Sequence, residues 1–291
     1  MIDLHTHSNA SDGSYSPSSL IEEAAKRGIS ALALTDHDTT KGLEEAAEAA
    51  RERGVQFIPG IEIEITRKQE TLGDFHLLGL GINPSPEFKA AIEELARLRE
   101  ERNLEMVDRM NKAGIAASYD EVRAMAFSMG SKTSEPEHRE RSIGRPHFAA
   151  FLVKRKLVKN IEQAFFSYLG RGKPFYIPKA GLEFEQAAEL IHESGGIAVL
   201  AHPMSLYVAW GKLPDFIKNL KDIGLDGLEA WHPIARVSAC RRLQELGEKL
   251  GLCVTAGSDF HGETRPGRKL GITAGGKRID EVFLDGIPLF S

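Results

Sequence analysis

The sequence predicts an α/β fold interrupted by a mostly helical insertion, and three observations carry that prediction. Short β-rich runs alternate with amphipathic helical runs in both outer thirds of the chain, the pattern of βαβ units and a parallel sheet. About seven such runs can be picked out in the 291 residues, enough to close a barrel, with an open sheet as the alternative. Between roughly residues 85 and 170 the alternation gives way to helical spacing and a polar stretch. The expected organisation is a core of residues 1–84 and 171–291, with residues 85–170 as a helical insertion roofing a substrate pocket.

Taken in order, "IDLHTH" reads as the first strand, and "SPSSLIEEAAKRG" as a helix with serine caps, an early proline and a terminal glycine. "ALALTDHD" is the next strand, followed by a helix from about Gly42 to Arg53. "VQFIPGIEIEI" and "DFHLLGLGI" are two further strand regions. From Ser85, "SPEFKAAIEELARLREERNLEMVDRMNKAGI" repeats apolar residues at helical spacing and ends at Gly114. Polar "SKTSEPEHRERS" is expected to be a mobile loop, and "RPHFAAFLVKRKLV" a helix. "GGIAVLAHP", "LDGLEAWHP" and "GLCVTAGSDFHG" are strands, each preceded by an amphipathic helix.

Composition narrows the function classes. A hydrophobic content of 42% with 27% charged residues suits a soluble globular protein with a sizeable core. The net charge of −5 and 7% aromatics argue against a broad basic, aromatic-lined groove for long nucleic acid, but leave room for a small basic pocket. Cys240 and Cys253 are too few for a disulfide framework or a thiolate metal cage. The opening residues lack the basic and apolar regions of a signal peptide, and no apolar run approaches ~18 residues, so a cytoplasmic protein without membrane segments is expected. No obligate protein partner is implied.

The chemistry sits at strand ends. Residues two apart on a strand share a face, so His5 and His7 project together, with Asp12 in the loop beyond them. His37 ends "ALALTDH", Glu62 and Glu64 share a face of "GIEIEI", His76 lies in "DFHLLGL", and His202 ends "AVLAHP". Asp259 and His261 form a second two-apart pair in "GSDFH". A single buried histidine is ordinarily a structural residue. Histidines that share strand termini and carboxylate neighbours are not explained that way, because carboxyl ends of barrel strands are where active sites assemble. So many imidazole and carboxylate groups in one place require cations, and N/O donors without thiolate suit manganese, zinc or iron. The number of donors is too large for one ion and fits two or three.

"LHTHSNASDG", "TDHD", "GIEI", "AHP" and "GSDFH", in this order, resemble the PHP (polymerase and histidinol phosphatase) family over most of the chain outside the insertion. The resemblance implies a distorted (β/α)7 TIM-like barrel with a di- or trinuclear metal centre, most simply manganese. It implies one ion on His5, His7, Glu62 and Asp259, a second on Glu62, His76 and His202, and a third on Asp12, His37 and His261; it selects Glu62 over Glu64. The expected activity is phosphomonoester hydrolysis by water activated at the metals.

Substrate-binding candidates lie in and after the insertion. "RLREERN" places Arg99 and Arg102 on one side of a helix. Arg145 and His147 sit at an expected helix start in "GRPHFA", and Lys173 follows in "GRGKPFY". Each alone is as readily a solvated charge or a helix salt bridge. Together, "REER", "GRPHF" and "GKPFY" resemble the PHP subgroup that hydrolyses nucleoside 3′,5′-bisphosphates and related 5′-nucleotides, which implies a small phosphorylated nucleotide, or a short oligonucleotide trimmed from its 5′ end. A histidinol-phosphate phosphatase and a catalytically silent PHP interaction module are the alternatives; the inserted arginines argue against the first, and the complete donor set against the second. Weaker candidates are Glu229 and His232 as supporting or pocket residues, and Asp36 and Asp38 as partners orienting His37. His192 is expected on a helix surface and His138 in the polar loop.

Overall fold

The computed structural model describes residues 1–66, 73–128, 143–178, 181–285 and 287. "SKTSEPEHRERS", with His138, lies outside the described residues. Seven strands form one sheet in chain order: β1 (Ile2–Thr6), β2 (Ala31–Leu34), β3 (Gln56–Glu64), β4 (His76–Leu80), β5 (Ile197–Leu200), β6 (Gly227–Trp231) and β7 (Cys253–Ala256). The sheet curls until its ends meet. Thr6 bridges Phe260 in parallel register, the His7 amide donates to the Phe260 carbonyl at 2.9 Å, and the Asp259 amide donates to the His5 carbonyl at 2.9 Å. The result is a nearly closed, distorted (β/α)7 TIM-like barrel.

One expectation needs correction. The strands are not all parallel: β4 runs antiparallel to both β3 and β5, while the remaining neighbours are parallel. Only residues 65–75 separate β3 from β4, and a parallel return needs a crossover of roughly a dozen or more residues, usually a helix. The reversal has a functional effect. It puts the first residue of β4, His76, at the end where the parallel strands finish, and His76 pairs in register with Glu64.

Around the barrel lie α1 (Pro17–Lys26) and α2 (Leu43–Arg53), followed by α3 (Pro86–Lys112). Ser16 and Ser85 cap α1 and α3 through their hydroxyls, each with proline in the first turn; for α1 this is the start that the sequence predicts. The chain continues through α4 (Tyr119–Ser128), α5 (Arg145–Lys154) and α6 (Ile161–Ala164), then returns to the barrel with α7 (Phe184–Glu193), α8 (Leu213–Asp222) and α9 (Val237–Leu250). Two apolar cores divide the long α3. Phe88, Ile92 and Leu95 pack into the barrel core, whereas Met106 and Met110 join Val122, Phe148 and Phe151 in a second core.

Strand alternation decides what faces the barrel axis. On β1, Ile2 and Leu4 belong to the apolar core, while Asp3 and His5 are fully buried on the other face. Closure at β1–β7 requires a close backbone approach at Gly257. A Cβ there would lie 2.3 Å from the His5 Cβ and 2.5 Å from a Glu229 carboxylate oxygen. Gly257→Ala is therefore expected to lower stability by about 1–3 kcal/mol, the usual cost of overpacking. Urea unfolding reads this as a lower midpoint; an unchanged midpoint would show that the seam has slack.

Candidate metal centre

Glu62, fully buried on β3, is the hub. One of its oxygens lies 2.8 Å from His76 Nδ1 and 2.9 Å from His202 Nε2. The other lies 3.1 Å from His37 Nδ1, 3.3 Å from His7 Nε2 and 3.4 Å from His5 Nε2. Asp259 extends the cluster, its Oδ1 3.4 Å from His7 Nε2 and 3.3 Å from His261 Nδ1. Asp12 completes it from the β1 loop, with Oδ1 3.1 Å from His261 Nε2 and 3.9 Å from His37 Nε2. All nine residues that the sequence singles out as donors are thus brought together.

The donors fit cation binding. Among the described residues, four groups have ligand atoms mutually within 4.8 Å: His7, Asp12, His37 and His261; His5, Glu62 and His202; His5, His232 and Asp259; and His37, Glu62 and His76. His7 Nδ1, Asp12 Oδ1, Glu62 Oε2 and His261 Nε2 are buried without a hydrogen-bond partner, which is costly unless something else satisfies them. Neither cysteine takes part, and nitrogen and oxygen donors alone suit manganese, zinc or iron. The grouping differs in detail from the sets implied by resemblance: His7 lies with Asp12, and His232 enters with Asp259.

The outer side of the cluster is built to aim the rings. Glu229 on β6 accepts from His5 Nδ1 at 3.0 Å with one oxygen and from the His202 amide at 2.6 Å with the other. His202 Nδ1 donates to Ser205 Oγ at 2.7 Å, which donates to the Asp74 carbonyl at 2.9 Å. His261 Nδ1 donates to the Asp259 carbonyl at 2.8 Å. Each contact leaves the opposite nitrogen facing inward. His202, Asp259 and Asp38 hold positive φ values of 28°, 53° and 46°, a strained backbone that surrounding contacts must maintain.

Charge balance follows. Burial opposes ionisation of Glu62, yet the rings of His37, His76 and His5 hold its carboxyl well below the ordinary range. Burial likewise opposes a charged His7, but the Asp259 and Glu62 carboxylates beside its ring prevail and raise it to about 9. His5 is also raised, against burial, by Glu229 and Glu62.

The predicted arginines approach from α3. Arg99 pairs with Asp38, and burial, with Arg102 beside it, lowers Arg99 to about 10. Arg102 is 5% exposed; its Nη2 donates to Asn103 Oδ1 at 2.7 Å, while its Nε and Nη1 are buried without partners. Burial and the nearby Arg145 lower Arg102 to about 10 as well. Arg145 also lies over the Tyr176 ring, 5.6 Å from its centroid. A cavity of about 720 Å³ opens beside Arg99, lined also by Asp38, Lys41, Asn103 and Tyr119.

Other candidates serve differently. His147 Nδ1 accepts from the Gly144 amide at 3.0 Å, capping α5. The Lys173 ammonium lies over Phe166, 4.8 Å from the ring centroid. Asp36 accepts from the Ser8 amide and from the Ser8 and Ser11 hydroxyls, fastening the β1 loop, and Asp38 accepts from the Glu64 amide at 3.1 Å; these contacts fix the backbone on either side of His37, where the sequence suggests that they orient its ring. His192 lies on α7 and pairs with Asp226 at 2.6 Å. Arg265 and Arg268 carry no motif, and their only cue is proximity to His261 in "HGETRPGR". Both contact Asp259 Oδ2, at 3.1 and 3.6 Å.

A barrel whose strand ends gather this donor set matches a known family. Residues 3–164 match the PHP domain family, and the chain belongs to it. It is 36% identical to a 3′,5′-nucleoside bisphosphate phosphatase of Chromobacterium violaceum, over 94% of this chain and 91% of that one. It is 35% identical to a 5′-3′ exoribonuclease of Haemophilus influenzae, over 89% of each chain. A solved structure from Bifidobacterium adolescentis, described as a predicted metal-dependent phosphoesterase, superposes with a TM-score of 0.81 at 28% identity, covering 99% of this chain and 96% of that one.

Two outcomes follow from the site's construction. Coordination requires neutral imidazole, so cation uptake at pH 7 should displace the proton that His7, raised to about 9, holds there. Calorimetric titrations in buffers of different ionisation enthalpy should show net proton release that fades as pH rises past that value; buffer-independent heats at pH 7 would contradict it. Glu229→Gln should weaken Mn2+ binding roughly 10–100-fold with an unchanged circular dichroism spectrum, because the neutral amide holds His5 and His202 less firmly.

Proposed function

We propose that this chain is a manganese-dependent phosphomonoesterase acting on nucleoside 3′,5′-bisphosphates, and also on 5′-nucleotides such as AMP and on short oligonucleotides from the 5′ end. One juxtaposition carries the reading: a donor cluster centred on Glu62 is joined to α3 through Arg99, which pairs with Asp38 beside His37 and feels the Asp12 charge, and on the same helix buried Arg102 has two guanidinium nitrogens without partners. The first feature requires cations and the second requires an anion. A phosphate ester held by metal ions answers both.

In this reading one ion would be held by His5, His7, Glu62 and Asp259, a second by Glu62, His76 and His202, and a third by Asp12, His37 and His261. When bound, divalent ions supply Lewis-acid charge to the phosphoryl oxygens and activate water near neutral pH. Glu62 gives the cluster a shared anionic centre, and Glu229 and Ser205 hold the imidazoles to their angles. Arg102 and Arg145 take the second phosphate, whose charge relieves the repulsion between them; guanidinium forks suit phosphate geometry. Arg99 lines the cavity of about 720 Å³, a volume fitted to a nucleoside. His147 orders the start of α5, residues 85–170 act as the pocket's roof, and Lys173 contributes charge at its edge.

The relatives support the substrate class from two sides, one named for nucleoside bisphosphates and the other for RNA. The acidic chain favours the shorter substrates. A phosphate-release screen with Mn2+ present should compare adenosine 3′,5′-bisphosphate, AMP, histidinol phosphate and a dinucleotide. The bisphosphate is expected to show the highest kcat/KM; release from none of the four would overturn the reading, and histidinol phosphate leading would replace it. Arg145→Ala should raise KM for the bisphosphate roughly tenfold, since one charge-assisted contact is lost, while KM for AMP changes little. Equal losses on both substrates would remove Arg145 from the second-phosphate site.

A further inference from the structure

Arg265 forks between two carboxylates of different donor groups. Its Nη1 donates to Asp259 Oδ2 at 3.1 Å and its Nη2 lies 3.4 Å from Asp12 Oδ2. Asp259 groups with His5 and His232, whereas Asp12 groups with His7, His37 and His261. The guanidinium therefore spans the cluster on the β7 side, while Arg99 and Arg102 approach from α3.

The backbone under Arg265 is fastened. Thr264 Oγ1 donates to the Asp12 carbonyl at 3.0 Å and to the His261 carbonyl at 2.9 Å. The Glu263 amide donates to Ser14 Oγ at 2.9 Å, and the Arg268 amide to the Arg265 carbonyl at 2.9 Å. The Arg265 side chain is nonetheless 41% exposed. A fixed Cα with a solvent-facing guanidinium is suited to exchanging one anionic partner for another without moving the loop. Arg268, 18% exposed and 3.6 Å from Asp259 Oδ2, supplies a further positive charge beside that carboxylate.

We propose that Arg265 binds the phosphoryl group presented to the donor cluster, and that it competes with divalent ions for Asp12 and Asp259. The proposal rests on the phosphoesterase reading above and adds a ligand from the turn after β7. A carboxylate that coordinates a divalent ion has less charge left for a guanidinium. The fork, no longer held by both aspartates, keeps its planar geometry and finds the same bidentate pattern in two phosphoryl oxygens. Arg265 thus connects cation loading to anion affinity: the groups that gain the ions are the ones that release the arginine.

Isothermal titration of Mn2+-loaded wild-type protein, Arg265→Ala, Arg265→Gln and Arg265→Lys with inorganic phosphate, and of the same proteins stripped of metal with Mn2+, tests both halves. Arg265→Ala is expected to raise the phosphate Kd roughly tenfold or more and to lower the Mn2+ Kd at least about threefold, because a competing positive charge is gone. Arg265→Lys keeps the charge without the fork and should fall between wild type and alanine for phosphate; if the alanine variant does not fold, the neutral Arg265→Gln decides both halves by the same directions. A merely structural arginine would leave Mn2+ binding unchanged or weaker on removal. That result, or an unchanged phosphate affinity, overturns the proposal. Failure of the wild type to release phosphate from any ester, with these binding shifts present, would instead overturn only the phosphatase reading.

Discussion

A carboxylate sealed from water must be met by positive charge, and Glu62 imposes that condition on the end of the barrel where it lies. Five imidazoles crowd its two oxygens, and two further carboxylates, Asp12 and Asp259, extend the same arrangement outward. Protons on the rings can balance part of this charge, as the raised His5 and His7 show. Divalent ions balance it more completely because they also satisfy the buried atoms that no hydrogen bond reaches. Much of the local structure serves this demand. The barrel closes where Phe260 and Asp259 hydrogen-bond to β1, so the last pair of donors reaches the first.

The outer ring of contacts explains why the rings stay aimed inward. An imidazole surrounded by other imidazoles has two nitrogens and several choices of tautomer. Glu229, Ser205 and the Asp259 carbonyl settle those choices for His5, His202 and His261 by accepting from the outward nitrogen. Glu229 does more than one job, since its second oxygen holds the His202 amide, and His202 sits at a φ of 28° that few non-glycine residues adopt. Strain at His202 and Asp259 coincides with donor positions, as expected where a site rather than packing dictates the backbone.

Much of this was legible in the sequence for simple reasons. Period-two spacing put His5 with His7 on a common face, and serine caps with an early proline marked α1, whereas Asp259 and His261 lie beyond β7, with Asp259 at a φ of 53°, where strand alternation does not operate. What escaped the sequence was set by tertiary geometry. The direction of β4 depends on a connection too short for a crossover, not on the composition of the strand. Asp36 and Asp38 flank His37 in sequence, yet they hold neighbouring backbone, because the chain has left β2 and turns at Asp38, whose φ is 46°. Arg265 lies on an irregular turn, where no periodicity tells which way a side chain points. Its place between Asp12 and Asp259, 247 residues apart in the chain, is a product of barrel closure and not of local sequence.

The long helix α3 shows how two cores can serve one site. Its first half is rooted in the barrel core through Phe88, Ile92 and Leu95, and its second half in the other core through Met106 and Met110. Arg99 and Arg102 lie between those anchors. A continuous helix transmits position along its axis far better than a loop does, so the guanidinium groups are fixed relative to the strand ends even though the second core packs separately. Burying Arg102 with two nitrogens lacking partners lowers stability, and a protein tolerates such a defect where an anion removes it. The same logic governs both sides of the site. Cation-seeking carboxylates and anion-seeking arginines are each poorly satisfied by the protein alone, and a metal-held phosphate ester satisfies them together.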